Sequence, residues 1–324
     1  MLKNIFRFFL TLFTLCQITQ AVAADPYPNR PIKLVIPYPA GGGTDSFARP
    51  LALQLSTRLG QSVVVENRGG AGGSIGMESV SRAPADGYTL LLALTPQLAV
   101  NGALYDKIPY DPIKSFSPVS LIAEAPYLLL VNPTLPVNTT KELLTLAKAE
   151  NGKLTYASSG SGSGAHMAAE LLISMTGIPM THVPYKGGGP ALSDVLAGHV
   201  KVLFAPAVSS LQYIQTGRLK ALAITGDKRL SSLPNVPTIA ESGVPGYDST
   251  VWYAMLAPAN TPREVVARIN AELLQILKDP SFKSMMSLNG IEPIGSSPEG
   301  LTSYINKETI KWSKVIKSAG IKAD

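Results

Sequence analysis

Cysteine occurs once in the 324 residues, at Cys16, and histidine three times, at His166, His182 and His199. Cys16 lies in a segment with the marks of a removable leader. Lys3 and Arg7 give the positive start, the apolar run at 5–16 is too short to span a bilayer comfortably, and Ala21-Val22-Ala23 offers a small-x-small cleavage site. Thr14-Leu15 does not provide the small residues that a lipid-anchored cysteine wants before it. With residues 1–24 removed as a signal peptide, the mature chain has no cysteine. That excludes a disulfide framework, a thiol nucleophile and a thiolate metal site. The histidines are well separated and show no paired ligand spacing, so no metal site is expected. Charge is sparse too: 15% of residues, with a net +6 that falls to +4 once Lys3 and Arg7 are gone. The excess is spread along the chain. There is no basic–aromatic interleaving, and the lysines at 307–322 read as a solvated helix face, so no nucleic-acid partner is expected. No later apolar run is long enough for a membrane span.

Glycine, by contrast, is abundant, with 28 residues, and much of it recurs in one context. Residues 32–59 read as strand, glycine loop and helix. Ile32, Leu34, Val35 and Ile36 suit a buried strand, Pro37-Tyr38-Pro39-Ala40-Gly41-Gly42-Gly43 cannot continue it, and Thr44 is placed to cap a helix carrying Phe47, Leu51 and Leu55 on one face. The amides of a first helical turn lack partners and sit at the positive end of the dipole, so an anion fits there. A tight connection without ligand is the alternative for one such loop. The chain repeats the pattern at 153–176, where Ser158-Ser159-Gly160-Ser161-Gly162-Ser163-Gly164 joins a short strand to a helix from Ala165. A third loop, Val183-Pro184-Tyr185-Lys186-Gly187-Gly188-Gly189-Pro190, places Pro190 as a first helical residue. Hydroxyls in such loops donate to a carboxylate or phosphate without adding charge.

Strands alternate with helices along the whole chain, which predicts an α/β fold with mostly parallel sheets and ligands at the C-terminal strand edges. Residues 116–131 read as apolar extended segments, 233–247 as a Pro/Gly-rich connector, and 251–256 as a strand crossing back. Boundaries near Ala125 and Asp248 divide the mature chain into a discontinuous first domain, 25–125 plus 249–324, and a second, 126–248. Two crossings make a natural hinge.

Enzyme chemistry finds little support. Gly41-Gly42-Gly43-Thr44 lacks the lysine of a phosphate-binding P-loop. Gly160, Gly162 and Ala165 fit a dinucleotide spacing, but the next strand ends without the acidic residue that a ribose needs. No serine of the second loop has the glycines two away on both sides of a hydrolase elbow. No credible base is evident, and no cofactor is expected. His166 reads either as a hydrogen-bond partner of ligand or as a pin for the loop backbone. Asp45 reads either as a ligand contact or as a cap. Of the nearby aromatics, Phe204 reads as core, whereas Tyr38 and Tyr185 sit inside loops, with Trp252 and Tyr253 close by in the pattern.

The chain resembles the Bug receptors, extracytoplasmic solute-binding proteins of tripartite tricarboxylate transporters. The matching stretches are residues 27–49 (YPNRPIKLVIPYPAGGGTDSFAR), 66–76 (ENRGGAGGSIG), 85–91 (ADGYTLL), 156–170, 182–200 (HVPYKGGGPALSDVLAGHV), 233–247 and 252–270. Gly69 departs from the pattern, where proline is expected. The resemblance implies a two-lobed, periplasmic-binding-protein (Venus flytrap) fold and a carboxylated ligand held between two loops. It also implies a periplasmic monomer that is not an enzyme, and integral membrane permease subunits as partners; the alternatives are a ligand sensor for a membrane signalling partner and an α/β enzyme acting on a small acid through the serine-rich loop. The candidate ligand-binding residues are then Tyr38, Ala40, Gly41, Gly42, Gly43, Thr44 and Asp45 in the first loop, and Ser158, Ser159, Gly160, Ser161, Gly162, Ser163 and His166 in the second. Tyr185, Lys186 and Gly187 belong to the third, and Thr95, Ala205 and Trp252 complete the set.

Overall fold

The computed structural model describes residues 27–41 and 43–321. The expected signal peptide and its cleavage site, and Gly42 of the first loop, lie outside the described residues. Strand β1 (Ile32–Ile36) buries every side chain but Lys33, as a strand covered on both faces must. It leads into helix α1 (Gly43–Leu59). Strand β2 (Val63–Asn67) follows, then helix α2 (Ser74–Ser81) and strand β3 (Thr89–Leu94). β1 pairs in parallel with both β2 and β3.

Thr95-Pro96 ends β3, since proline has no N–H to donate to a ladder. The chain then forms a π-type turn (Pro96–Val100) running into short helix α3 (Asn101–Leu104), neither of which the apolar pattern disclosed. Strand β4 (Phe116–Val131) is the longest strand and serves two neighbourhoods. Residues 116–126 pair antiparallel with β9 (Thr250–Pro258), and residues 127–131 pair antiparallel with β7 (Val202–Pro206) and β8 (Lys220–Ile224).

Helix α4 (Thr140–Glu150) is capped by Thr139, whose side chain accepts from Glu142 N–H at 3.1 Å. Strand β5 (Thr155–Ser158), helix α5 (Gly164–Thr176), strand β6 (Thr181–Pro184) and helix α6 (Gly188–Ala197) build the next parallel units, and β7 feeds helix α7 (Ala207–Gln215). After β9 come α8 (Arg263–Lys278), α9 (Pro280–Ser287), the short β10 (Glu292–Pro293) and α10 (Pro298–Ala319). α10 is one continuous helix that carries the lysine-rich face at its C-terminal part. Asp279 caps α9 by accepting from Phe282 N–H at 2.9 Å.

The strands run in the order β2-β1-β3-β9-β4-β7-β5-β6. Each flank is parallel, as the alternation of strands and helices predicts. The middle is antiparallel because β9 arrives through the long connector rather than through a helix crossover. One apolar core surrounds β1, β3, α1 and α8. A second joins Trp252, Leu301, Ile305 and Trp312 to Met167, Ala168 and Phe204, so α10 binds the two flanks together on one side. Among the described residues no helix is long and apolar enough to cross a membrane.

Candidate functional site

Helices α1, α5, α6 and α7 each start where a strand ends, and their N-termini gather around a cleft of about 570 Å³. This is the volume range of small-molecule sites. Its wall takes Tyr38, Thr44, Ser46 and Phe47 from the β1–α1 connection and the first turns of α1, and Ser159, Ser163 and Gly164 from the serine loop. Gly188, Gly189 and the stretch 205–209 close one side, Ala125, Pro126 and Tyr127 line it at the crossing of β4, and Val251, Tyr253, Met286, Asn289, Gly290 and Ile291 complete it. No Asp, Glu, Lys, Arg or His is among the described residues that line it.

The first loop is held from behind. The Asp45 carboxylate accepts from Gly41 N–H at 3.0 Å, from Asn67 Nδ2 at 3.1 Å and from the Arg49 guanidinium at 2.9 and 3.0 Å. It is 5% exposed, and the Arg49 hydrogen bonds hold its carboxyl below the usual range. Asp45 therefore organises the loop and does not face the cleft. Of the two roles the sequence allowed, the structure supports a local one. Thr44 lies inside the first turn of α1, which begins at Gly43, two residues earlier than a Thr44 cap would place it. The Tyr38 ring lines the cleft while its hydroxyl oxygen accepts from Gln97 Nε2 at 2.9 Å. That bond occupies the oxygen's lone pair and leaves the phenolic proton to be donated elsewhere. Burial raises the Tyr38 pKa, so the proton stays in place.

The second loop is held the same way. Ser158 is 0% exposed, and its Oγ accepts from Gly160 N–H at 3.2 Å and lies 2.6 Å from His182 Nε2. His166 Nδ1 accepts from Gly162 N–H at 3.0 Å, so of its two readings the structure gives the loop pin. Ser163 caps α5, accepting from His166 N–H at 3.3 Å, and also reaches the wall, as does Ser159. The sequence showed no base beside these serines, whereas the structure pairs Ser158 with His182. A serine–histidine contact is the geometry of an activated nucleophile, but this hydroxyl is sealed beneath its own loop.

Two further tyrosines look into the cleft. Tyr127 stands over Gly164, where an added Cβ would come within 2.5 Å of the phenol oxygen, so only glycine fits at the start of α5. The Tyr253 ring lies 4.7 Å from Phe47, and burial raises the pKa of both Tyr127 and Tyr253.

Of the expected residues, Tyr38, Thr44, Ser159, Ser163 and Ala205 line the cleft. Trp252 does not. It is 0% exposed, its indole donates to Glu308 at 3.3 Å, and its strand neighbour Tyr253 takes the cleft side, because adjacent strand residues face opposite ways. Thr95 is likewise internal, its Oγ1 accepting from Trp252 N–H at 2.9 Å. Tyr185 gives its hydroxyl to Asp194, Lys186 is exposed, and Gly187 precedes α6, so the third loop reaches the cleft through Gly188 and Gly189 instead. Ala40, Gly41, Gly160, Ser161 and Gly162 shape the two loops outside the described wall. Phe204, expected in the core, is buried there and also borders the cleft. Among the described residues no cluster of His, Cys, Asp or Glu could hold a metal ion.

Residues 47–321 match the family described as tripartite tricarboxylate transporter family receptor. The chain is 40% identical over 92% of its length to the UPF0065 protein in the tcbD-tcbE intergenic region of Pseudomonas sp. strain P51, covering 89% of that protein. It is 37% identical to Protein BugT of Bordetella pertussis, over 94% of both chains. The structure of R. palustris Rpa4515 with adipate superposes with a TM-score of 0.81 at 38% identity, covering 91% of this chain and 99% of that one.

Proposed function

We propose a function from one premise: the chain belongs to the tripartite tricarboxylate transporter family of receptors. The protein binds a small carboxylated solute in the cleft, works in the periplasm as a monomer after loss of its leader, and hands the solute to integral membrane permease subunits. It retains its ligand rather than converting it. The observation that carries this reading is the wall itself. The starts of helices α1 and α5 meet across one cleft with Thr44, Ser46, Ser159, Ser163 and the side chain of Tyr38, and no charged side chain is among its described residues. Fixed neutral donors at helix N-termini stabilise an anion without a bidentate arginine. The adipate bound by the R. palustris relative is a solute of this chemical kind.

The same reading divides the chain into two lobes, 25–125 plus 249–324 and 126–248. The pairing of β4 changes between residues 126 and 127, which line the cleft, and the chain returns just before β9, which supports this division. The test is to purify the protein under native conditions, release its bound small molecules by denaturation and identify them by mass spectrometry. A stoichiometric, unaltered carboxylic acid is expected. A released neutral or cationic solute, or turnover of an added acid, would contradict the proposal.

A further inference from the structure

Two phenols of the cleft wall, Tyr127 and Tyr253, have no partner in the protein. Neither hydroxyl makes a hydrogen bond among the described residues. Their backbones, by contrast, are firmly held. Tyr127 N–H donates to Thr225 Oγ1 at 2.8 Å, its carbonyl accepts from Thr225 N–H at 2.9 Å, and Tyr253 is set in β9 opposite Leu94 and Ala123. Tyr253 is 6% exposed. Neither phenol oxygen is among the described polar atoms that are sealed from solvent without a partner, so both open onto the cleft. The Tyr127 oxygen stands over Gly164 at the start of α5, and the Tyr253 ring lies against Phe47 in α1. Burial raises the pKa of each, and the Tyr253 and Tyr38 phenols raise that of Tyr127 further, so the rings share one neighbourhood and keep their protons.

A buried hydroxyl that keeps its proton and meets no acceptor is an unmet hydrogen bond. A carboxylate is acceptor-only with several lone pairs, so it can take two phenolic protons together with the amides of a helix start. The starts of α6 and α7 also border the cleft, and neither has a side-chain cap. What sets the α1 and α5 end apart is this pair of unpartnered side chains. We propose that Tyr127 and Tyr253 are ligand-binding residues, whose hydroxyls donate to the carboxylate of the solute where α1 and α5 meet. This deepens the reading above and rests on it, since it presumes a carboxylated solute. It adds two direct contacts that come from strands, not from the glycine loops, and strand positions hold a donor more precisely than loops do. The two come from different flanks: Tyr127 begins the part of β4 that pairs with β7 and β8, whereas Tyr253 pairs with Leu94 of β3. The starts of α6 and α7 are left to the remainder of the solute.

The experiment titrates the ligand-stripped mature protein, Tyr127→Phe and Tyr253→Phe with adipate and with acetate, the smallest stable probe of a carboxylate subsite. Tyrosine labelled isotopically at Cζ reports on the phenols by NMR, each resonance being assigned by its loss in the matching variant. Both resonances should shift saturably with the added acid. Each variant should bind that acid at least about tenfold more weakly. Its ligand-free melting temperature should not fall, because the hydroxyl removed has no protein partner to lose. A saturable titration that leaves either resonance still, or a variant that keeps its affinity, overturns the inference but leaves the carboxylate reading intact. So does a weaker variant whose ligand-free melting temperature has dropped, since that is a structural role. If neither acid binds, the acid retained by natively purified protein decides, measured by mass spectrometry: its loss from both variants supports the inference, and its retention at the unmodified stoichiometry in either overturns it. No retained acid in the unmodified protein overturns both the inference and the reading beneath it.

Discussion

The imidazole rings of His166 and His182 lie face to face, their centroids 3.9 Å apart and their planes 9° from parallel. One comes from the first turn of α5 and the other from β6, and each presents a nitrogen to the serine loop. His166 Nδ1 takes the Gly162 N–H, and His182 Nε2 meets Ser158 Oγ. Beneath them, Tyr156 stacks 5.0 Å from His182 and donates its hydroxyl to Glu170 Oε1 at 2.6 Å, with the His166 Nε2 lying 3.6 Å from the same carboxylate oxygen. The serine loop is thus supported by a stack of rings that does not line the cleft.

Replacing that support should loosen the loop. His166→Leu keeps the bulk but leaves the Gly162 N–H without its acceptor, a cost of about 1–3 kcal/mol for a buried donor. Thermal unfolding should show a lowered midpoint, and calorimetry a weaker ligand affinity, although the imidazole does not line the cleft. Unchanged affinity in a folded variant would mean that the loop holds its shape without the pin.

Neighbouring serines should behave differently. Ser158→Ala removes a buried pin, so its main effect should be on stability. Ser159→Ala removes a hydroxyl from the cleft wall, so stability should hold while binding weakens by about 1 kcal/mol, or somewhat more because the acceptor is charged. The two variants separate structural from ligand-facing roles, and a reversed pattern would exchange those assignments.

Ligand should compact the protein, because donors from both flanks are needed around one anion and a closed form adds contacts. The motion is constrained: α10 and its Trp312 share a core with α5, and Gly290 abuts Ala207. Small-angle scattering should show a modest fall in radius of gyration on saturation. No fall, in protein shown to bind, would mean that the ligand enters a cleft already closed.

Glu124, beside the crossing on β4, accepts from Tyr304 O–H at 2.8 Å. Burial pushes its carboxyl above the usual range, and the charges of Asp248, Asp227 and Glu308 push it the same way. A carboxyl whose folded pKa exceeds its unfolded pKa takes up a proton on folding. Its cost to stability is therefore full above the folded value and is relieved as pH falls through that value towards the unfolded one. Glu124→Gln should raise the melting temperature at about pH 8 and give a smaller gain at about pH 5. A gain that is equal at both pH values, or a loss at the higher one, would contradict this.

The loops and strands were legible in the sequence because glycine runs and apolar strands are local signals. The wall was legible only where it coincided with a loop, as at Tyr38, Thr44, Ser159 and Ser163. Trp252 and Tyr253 look alike in an apolar run, and which of them faces the cleft depends on the register of β9 against β3 and β4. Ser158 and Ser159 differ in the same way, the first ending a buried strand and the second turning outwards. Tyr127, Met286, Asn289, Gly290 and Ile291 carry no motif and reach the cleft through tertiary packing. A strand-alternation argument from the buried neighbours could have found Tyr253. Nothing local could have found Asn289 or Ile291.

Neutral donors at the two loops are proposed to hold the carboxylate. Lys186 belongs to the third loop but is exposed and outside the described wall, so it should contribute little. The measurement is a calorimetric titration of Lys186→Met with the natively bound acid, beside the unmodified protein. The dissociation constant should rise by no more than about threefold, under 1 kcal/mol. Loss of binding in a folded Lys186→Met protein would make the lysine the principal anion ligand and contradict the account.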